Sequence, residues 1–226
     1  MVLRLESLVQ EMASKLCSVV QRALDKGLPC DMHHAFRALT VDVISSFAFD
    51  KSFDLLDNED LGADWQAQIT AVGPAVWIFQ LVPGLRELSL ALPRWFVDRV
   101  SKPLRAINQL RDTFAQQIEE VKANHAAGRS ERETIFSTLL FPDEKSEEYV
   151  QLTTEDCVDE AFSLMFAASD TTGNALTIAT YNILRTPELS ARLIEELGEH
   201  FPDESAQVPF TELETLPYLV SCIFIL

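Results

Sequence analysis

Phe166-Ala167-Ala168-Ser169-Asp170-Thr171-Thr172 sits in the middle of the longest uninterrupted helical pattern in this chain. Small residues come first, then an acid, then two hydroxyls, all inside an apolar run. A carboxylate beside a hydroxyl is costly to bury in an apolar helix without a partner or a task. A mid-helix threonine often turns its hydroxyl back to the carbonyl four residues earlier, which for Thr171 belongs to Ala167. That back-bond loosens the helix and opens a notch, and Ala167, Ala168 and Ser169 are small enough to let a bulky group approach. Asp170 points about a quarter-turn away from Thr171. A hydroxyl at the notch and an acid beside it form a two-step proton path. The plainer alternative is that Ser169 and Thr171 are satisfied core hydroxyls and Asp170 faces water. The motif alone does not separate the two.

Working outward, Thr153 and Asp156 have the spacing of a capping box, and nothing interrupts the pattern until Thr186-Pro187. At 1.5 Å per residue this helix is ~48 Å long, enough to traverse a domain, and it is expected to be buried. Gly173 inside it reads as a tolerated blemish. The remainder is also helical. Leu5, Leu8, Val9, Met12, Leu16, Val19 and Ala23 recur at helical spacing until Gly27 and Pro29. Asp31 can cap a second helix, whose buried face would be Phe36, Leu39, Val43, Ile44 and Phe47. Asp57-Asn58-Glu59-Asp60 is turn material, and residues 61 to 100 are apolar and punctuated by proline, with a turn at Pro83-Gly84. Ser101 with Pro103 starts a helix to about Asn124, and a short helix covers Thr134 to Leu140 before a polar loop from Pro142 to Glu148. A further helix follows Pro187, a loop runs from Pro202 to Pro209, and Leu216-Pro217 opens a last helix. There are no strand pairs with hairpin turns and no internal repeat. The expected fold class is mainly α, in one domain.

Composition excludes several roles. A formal charge of −17 over 226 residues argues against binding nucleic acid or docking electrostatically on anionic lipid. Cys17, Cys30, Cys157 and Cys222 are far apart, lack zinc-ligand spacing and fit a reducing compartment. His33, His34, His125 and His200 show no ligand pairing. Met1 leads directly into an amphipathic pattern, so no signal peptide is expected. No stretch is long and apolar enough to span a bilayer.

Phe166 to Thr172 resembles the long central helix of the cytochrome P-450 superfamily of haem-thiolate monooxygenases. There a small residue, a glycine or alanine, any residue, an acid and one or two threonines follow in order. Arg185-Thr186-Pro187-Glu188 and Arg192-Leu193-Ile194-Glu195-Glu196-Leu197 resemble the next helix of that family. Phe210 to Leu219 resembles the approach to the one after it. Ala38-Leu39-Thr40-Val41-Asp42-Val43-Ile44-Ser45-Ser46-Phe47-Ala48-Phe49 is similar to an earlier helix, especially in fungal members. Order and spacing agree over nearly the whole chain. The resemblance implies the central helical portion of the cytochrome P-450 fold, with the oxygen-activating helix at about 153–186.

The resemblance implies roles for individual residues. Ala167, Ala168 and Thr172 would line the distal side of haem b. Thr171 would be the hydroxyl that contacts dioxygen, and Asp170 its proton-donating partner. One of Phe162 and Phe166 would wall the pocket of a small hydrophobic substrate, although core packing is the stronger reading of each taken singly. An NADPH-dependent reductase would supply electrons. The complete family member would lie at the endoplasmic reticulum membrane, as in fungal secondary metabolism. The block from Val76 to Phe96 matches the family's mobile lid, which often dips into the bilayer, or is an ordinary core helix pair. Ala168 stands where glycine is commoner. None of the four cysteines has a Phe-x-x-Gly-x-Arg-x-Cys-like context, and Ile225 stands where an acid is expected. The expectation is therefore a partial domain over 1–226, without anchor, early helices or haem-thiolate loop, and inactive as it stands. The competing expectation is a non-enzymic helical protein of the same fold.

Overall fold

Asp31 accepts a hydrogen bond from the His34 amide and so begins a helix that is buried along most of its length. The structure, a computed structural model, describes residues 5–82, 84–129, 133–142, 152–203 and 208–225. Its helices are α1 (Glu6–Asp25), α2 (Met32–Phe49), α3 (Ala63–Leu81), α4 (Leu85–Ala91), α5 (Arg94–Val100), α6 (Lys102–Ala126), α7 (Ile135–Leu140), α8 (Thr154–Arg185), α9 (Pro187–His200), α10 (Phe210–Leu213) and α11 (Pro217–Ile225). A 3-10 turn at Leu55–Asp57 follows α2, and there is no strand among the described residues.

The expected caps form. The Ser101 hydroxyl accepts from the Leu104 amide, and Thr134 and Thr153 close reciprocal capping boxes with Ser137 and Asp156. The polar loop expected after Pro142 lies outside the described residues.

α2 is buried on almost every side, which the hydropathy pattern did not foretell. Of the expected face only Phe36 is fully buried, and Leu39, Val43, Ile44 and Phe47 are half-buried. The deepest positions are Ala35, Ala38, Val41, Asp42, Ser45 and Ala48, mostly small residues. Helices α1, α6, α7 and α8 and the 3-10 turn all pack on α2, so no single apolar stripe marks its inward side. The buried carboxylate of Asp42 accepts from the amides of Leu55 at 2.8 Å and Leu56 at 3.0 Å. It thereby satisfies the start of the 3-10 turn. Burial nonetheless pushes its carboxyl above the ordinary range.

α8 lies along α2 in the most extensive helix contact of the molecule. Its buried residues Cys157, Ala161, Met165, Ser169 and Gly173 form a ridge of i, i+4 neighbours. Only this half of α8 is buried. Beyond Gly173 the helix stands out, with Ile178, Tyr181 and Leu184 exposed at 45%, 60% and 68%. The expectation of a helix buried along its length is corrected accordingly. The core beside the ridge is aromatic: Phe49 stacks on Phe136 at 4.9 Å and on Phe114 at 6.5 Å, and Trp65 meets Phe114 edge-on.

Gly173 is a contact rather than a blemish. A Cβ there would lie 2.8 Å from Cγ, 3.2 Å from Cα and 3.3 Å from the backbone nitrogen of Arg37 on α2. Gly173→Ala is expected to destabilise the fold by about 1–3 kcal/mol through overpacking. Gly198→Ala in α9, where a Cβ meets nothing within 4 Å, is the control. It is expected to be neutral or to stabilise by about 0.5–1 kcal/mol. Thermal unfolding of both variants checks the contrast.

Candidate active site

Successive residues on a helix are turned by roughly 100°, so Ala167, Thr171 and Ala175 share the side of α8 that faces away from the Ser169–Gly173 ridge. All three are exposed, and Ala168 beside them is half-buried. Thr171 donates its hydroxyl hydrogen to the Ala167 carbonyl at 2.7 Å, as its mid-helix position predicts. Its oxygen lone pairs are left for an acceptor role on the open side. Half-buried Leu164 and exposed Ile178 flank this strip. Small side chains between apolar shoulders fit a broad, flat, mostly apolar group laid against the helix. Haem has that shape and chemistry. Thr172 is also exposed, at the border between strip and ridge.

The same stretch turns a different side toward α2. Ser169 is completely buried, and the single hydroxyl hydrogen of Thr40 on α2 is shared between the Arg37 carbonyl at 3.0 Å and the Ser169 carbonyl at 3.1 Å. Asp170 leans over this seam. Its Oδ1 accepts from Arg37 Nε at 3.0 Å and Nη2 at 2.7 Å, while its side chain remains 59% exposed. Arg37 itself is only 8% exposed at the side chain, so the pair joins a buried cation to a half-open anion. Arg37 Nη1 lies 2.7 Å from Nδ1 of His33. Among the described residues, Asp170 Oδ2 takes no hydrogen bond, and Asp170 and Thr171 are not bonded to each other. The acid and the alcohol are thus adjacent in sequence but turned to different partners.

Phe162 and Phe166 stack on each other at 4.7 Å, and Phe162 meets Phe114 of α6 edge-on at 5.9 Å. Both are half-buried against the core. None of the four cysteines belongs to the open strip. Cys157 is on the ridge against α2, and burial, with Asp156 and Glu160 nearby, pushes its thiol up. No cluster of metal-ligating side chains occurs among the described residues.

Residues 1–224 match the family profile described as Cytochrome P-450. The chain belongs to the cytochrome P-450 family. It is 29% identical over 224 residues to cytochrome P-450 monooxygenase macH of Penicillium terrestre, covering 98% of this chain and 43% of that protein. It is 28% identical to monooxygenase orf6 of Eupenicillium brefeldianum, covering 98% of this chain and 44% of that protein. The chain thus spans less than half the length of these curated relatives. The fold matches the heme domain of cytochrome P-450DA with a TM-score of 0.70 at 19% identity, over 95% of this chain and 43% of that one. The mainly α P-450 segment expected from the sequence is what the structure contains.

Sequence reasoning missed Arg37 and His33. Their signal was present: a charged residue inside Ala35-Phe36-Arg37-Ala38-Leu39 needs a buried partner, and His33 precedes it at i, i+4 spacing. The partner lies 133 residues away, which no local pattern encodes. No described helix is long and apolar enough to cross a membrane.

Among the described residues Thr171 bonds only within its own helix, and it is exposed, so the fold gains little from it. Thr171→Ala is expected to change stability by no more than about 0.5 kcal/mol. Denaturant unfolding checks this, and a large loss would mark Thr171 as structural.

Proposed function

We propose that this chain is the oxygen-activating helical portion of a haem-dependent monooxygenase that puts one atom of dioxygen into a small hydrophobic substrate. The observation that carries the reading is the open strip of small residues on α8, with one hydroxyl facing out and one clamped carboxylate beside it. Ala167, Ala168 and Thr172 would hold the haem against the helix. When bound, haem supplies dioxygen activation and electron storage. The residues of this chain do the rest. The Ala167 carbonyl holds the Thr171 hydroxyl hydrogen, which orients its lone pairs outward. Held by Arg37 through Oδ1, Asp170 leaves Oδ2, which takes no hydrogen bond among the described residues, to exchange a proton with solvent and pass it on toward Thr171. Phe162 and Phe166 form a stacked wall beside the strip that favours apolar ligands.

The partners follow from the same reading: a small hydrophobic substrate and an NADPH-dependent reductase. Membrane contact through 76–96 is supported by Trp77, Leu81 and Trp95, exposed at 68%, 75% and 72%. This would be a peripheral dip into the bilayer of the endoplasmic reticulum rather than a span.

In the full-length protein, Asp170→Asn and Thr171→Ala are each expected to cut product formation by roughly a hundredfold, with reducing equivalents diverted to peroxide. Product and peroxide per NADPH measure this, and unchanged coupling in both variants would overturn the reading. The 226 residues alone are proposed to be inactive, since no cysteine is placed to serve as axial thiolate. Mixed with haem, reduced and exposed to carbon monoxide, they are expected to lack the thiolate-haem absorption band. A clear band would defeat that part of the proposal.

A further inference from the structure

Three groups form a continuous chain from the surface to the α8 carboxylate. His33 is exposed at the start of α2, Arg37 is buried one turn later, and Asp170 receives both Arg37 bonds on one oxygen. A guanidinium has only donors and stays protonated. The 2.7 Å contact between Arg37 Nη1 and His33 Nδ1 therefore requires a lone pair on Nδ1, which places the imidazole hydrogen on Nε2. An imidazolium has no lone pair to offer and would face Arg37 as a like charge. We infer that His33 is a positioning residue for Asp170: neutral, it holds Arg37 in the orientation that clamps the carboxylate, and protonated, it releases that clamp. The inference rests on the role given above to Asp170.

The surroundings favour such a response. Thr40 fastens the backbones of α2 and α8 at this level, and Gly173 lets Arg37 lie directly on α8. The backbone is therefore held, and the side-chain ends are what can move. Facing His33 are Asp31 at the cap of α2, His34 and Arg37 within α2, and Asp170 from α8. Asp31 is engaged by the His34 amide and by His34 Nδ1 at 3.0 Å. Arg22 and Lys26 of α1, with Asp57, Glu59 and Asp60, line the adjoining cleft on the His34 side. Desolvation, Arg37 and His34 outweigh the two carboxylates and hold the His33 imidazole below its ordinary range. The sign follows. The clamp is complete above the ordinary imidazole value of about 6.5 and is lost as pH falls through the lower value that His33 has in the fold.

The test uses the full-length holoprotein, with peroxide per NADPH followed from neutral to acid pH and His33 titrated by NMR. Wild type is expected to leak more peroxide as His33 gains its proton. His33→Gln retains an acceptor oxygen without titrating and is expected to lose that acid-side rise. His33→Lys, a fixed cation, is expected to leak at neutral pH as wild type does in acid. Arg37→Met removes the neighbouring cation and is expected to raise the His33 pKa. Arg37→Lys should restore coupling only in part, because a point charge cannot make both contacts. If Asp170→Asn disturbs coupling but His33→Gln keeps the wild-type acid rise, the inference is wrong while the role of Asp170 stands. An unchanged His33 pKa in Arg37→Met also defeats it. If Asp170→Asn itself leaves coupling intact, the underlying functional reading has failed instead.

Discussion

The close approach of α2 and α8 is the constraint on which this structure depends. On α8 it is made with small buried residues, Ala161, Ser169 and Gly173, and at Gly173 the backbone of Arg37 on α2 lies directly against the helix. Helices meeting through side chains of this size bring their backbones near each other. Thr40 can then bridge the Ser169 and Arg37 carbonyls with one hydroxyl. A bulkier residue at 173 would push Arg37 outward and break its reach to Asp170. Packing and electrostatics are thus coupled here, because the ion pair exists only where the backbones are close.

Burial along α8 changes midway, and the polar residues sit at the change. Before Ser169 the helix contributes Cys157, Val158, Ala161 and Met165 to the core. After Gly173 none of its residues is fully buried. Asp170 and Thr171 stand at that boundary, where a carboxylate can pair with a buried cation and still face solvent. A charge held there avoids most of the desolvation cost of a fully buried ion pair. Among the described residues it also leaves one carboxylate oxygen without a hydrogen bond and open to water.

The other charges do less. Arg94 with Asp112, Arg111 with Asp159 and Lys51 with Glu120 link exposed or half-exposed groups on the surface. Such pairs contribute at most about 1 kcal/mol each. Asp42 belongs with Arg37 instead. It is buried and satisfied by two amides, and it fixes the path of the chain as it leaves α2. Both are charged residues in an apolar helix, and each locks that helix to a distant or returning segment.

Helix boundaries were legible because capping is local. Asp31, Ser101, Thr134 and Thr153 each bond an amide three residues ahead, so residue type and spacing suffice. The Thr171 back-bond to Ala167 is local in the same sense, and the order of helix signatures pointed to the family. The buried side of α2 was not legible, since neighbours on several sides erase the amphipathic stripe that hydropathy detects. Gly173 was not legible either, because a missing side chain carries no signal of what lies against it. The Arg37–Asp170 pair joins residues that are brought together only when the two helices dock. Local hydrogen bonding is written in short-range sequence, whereas which surfaces meet is decided by packing of the whole chain.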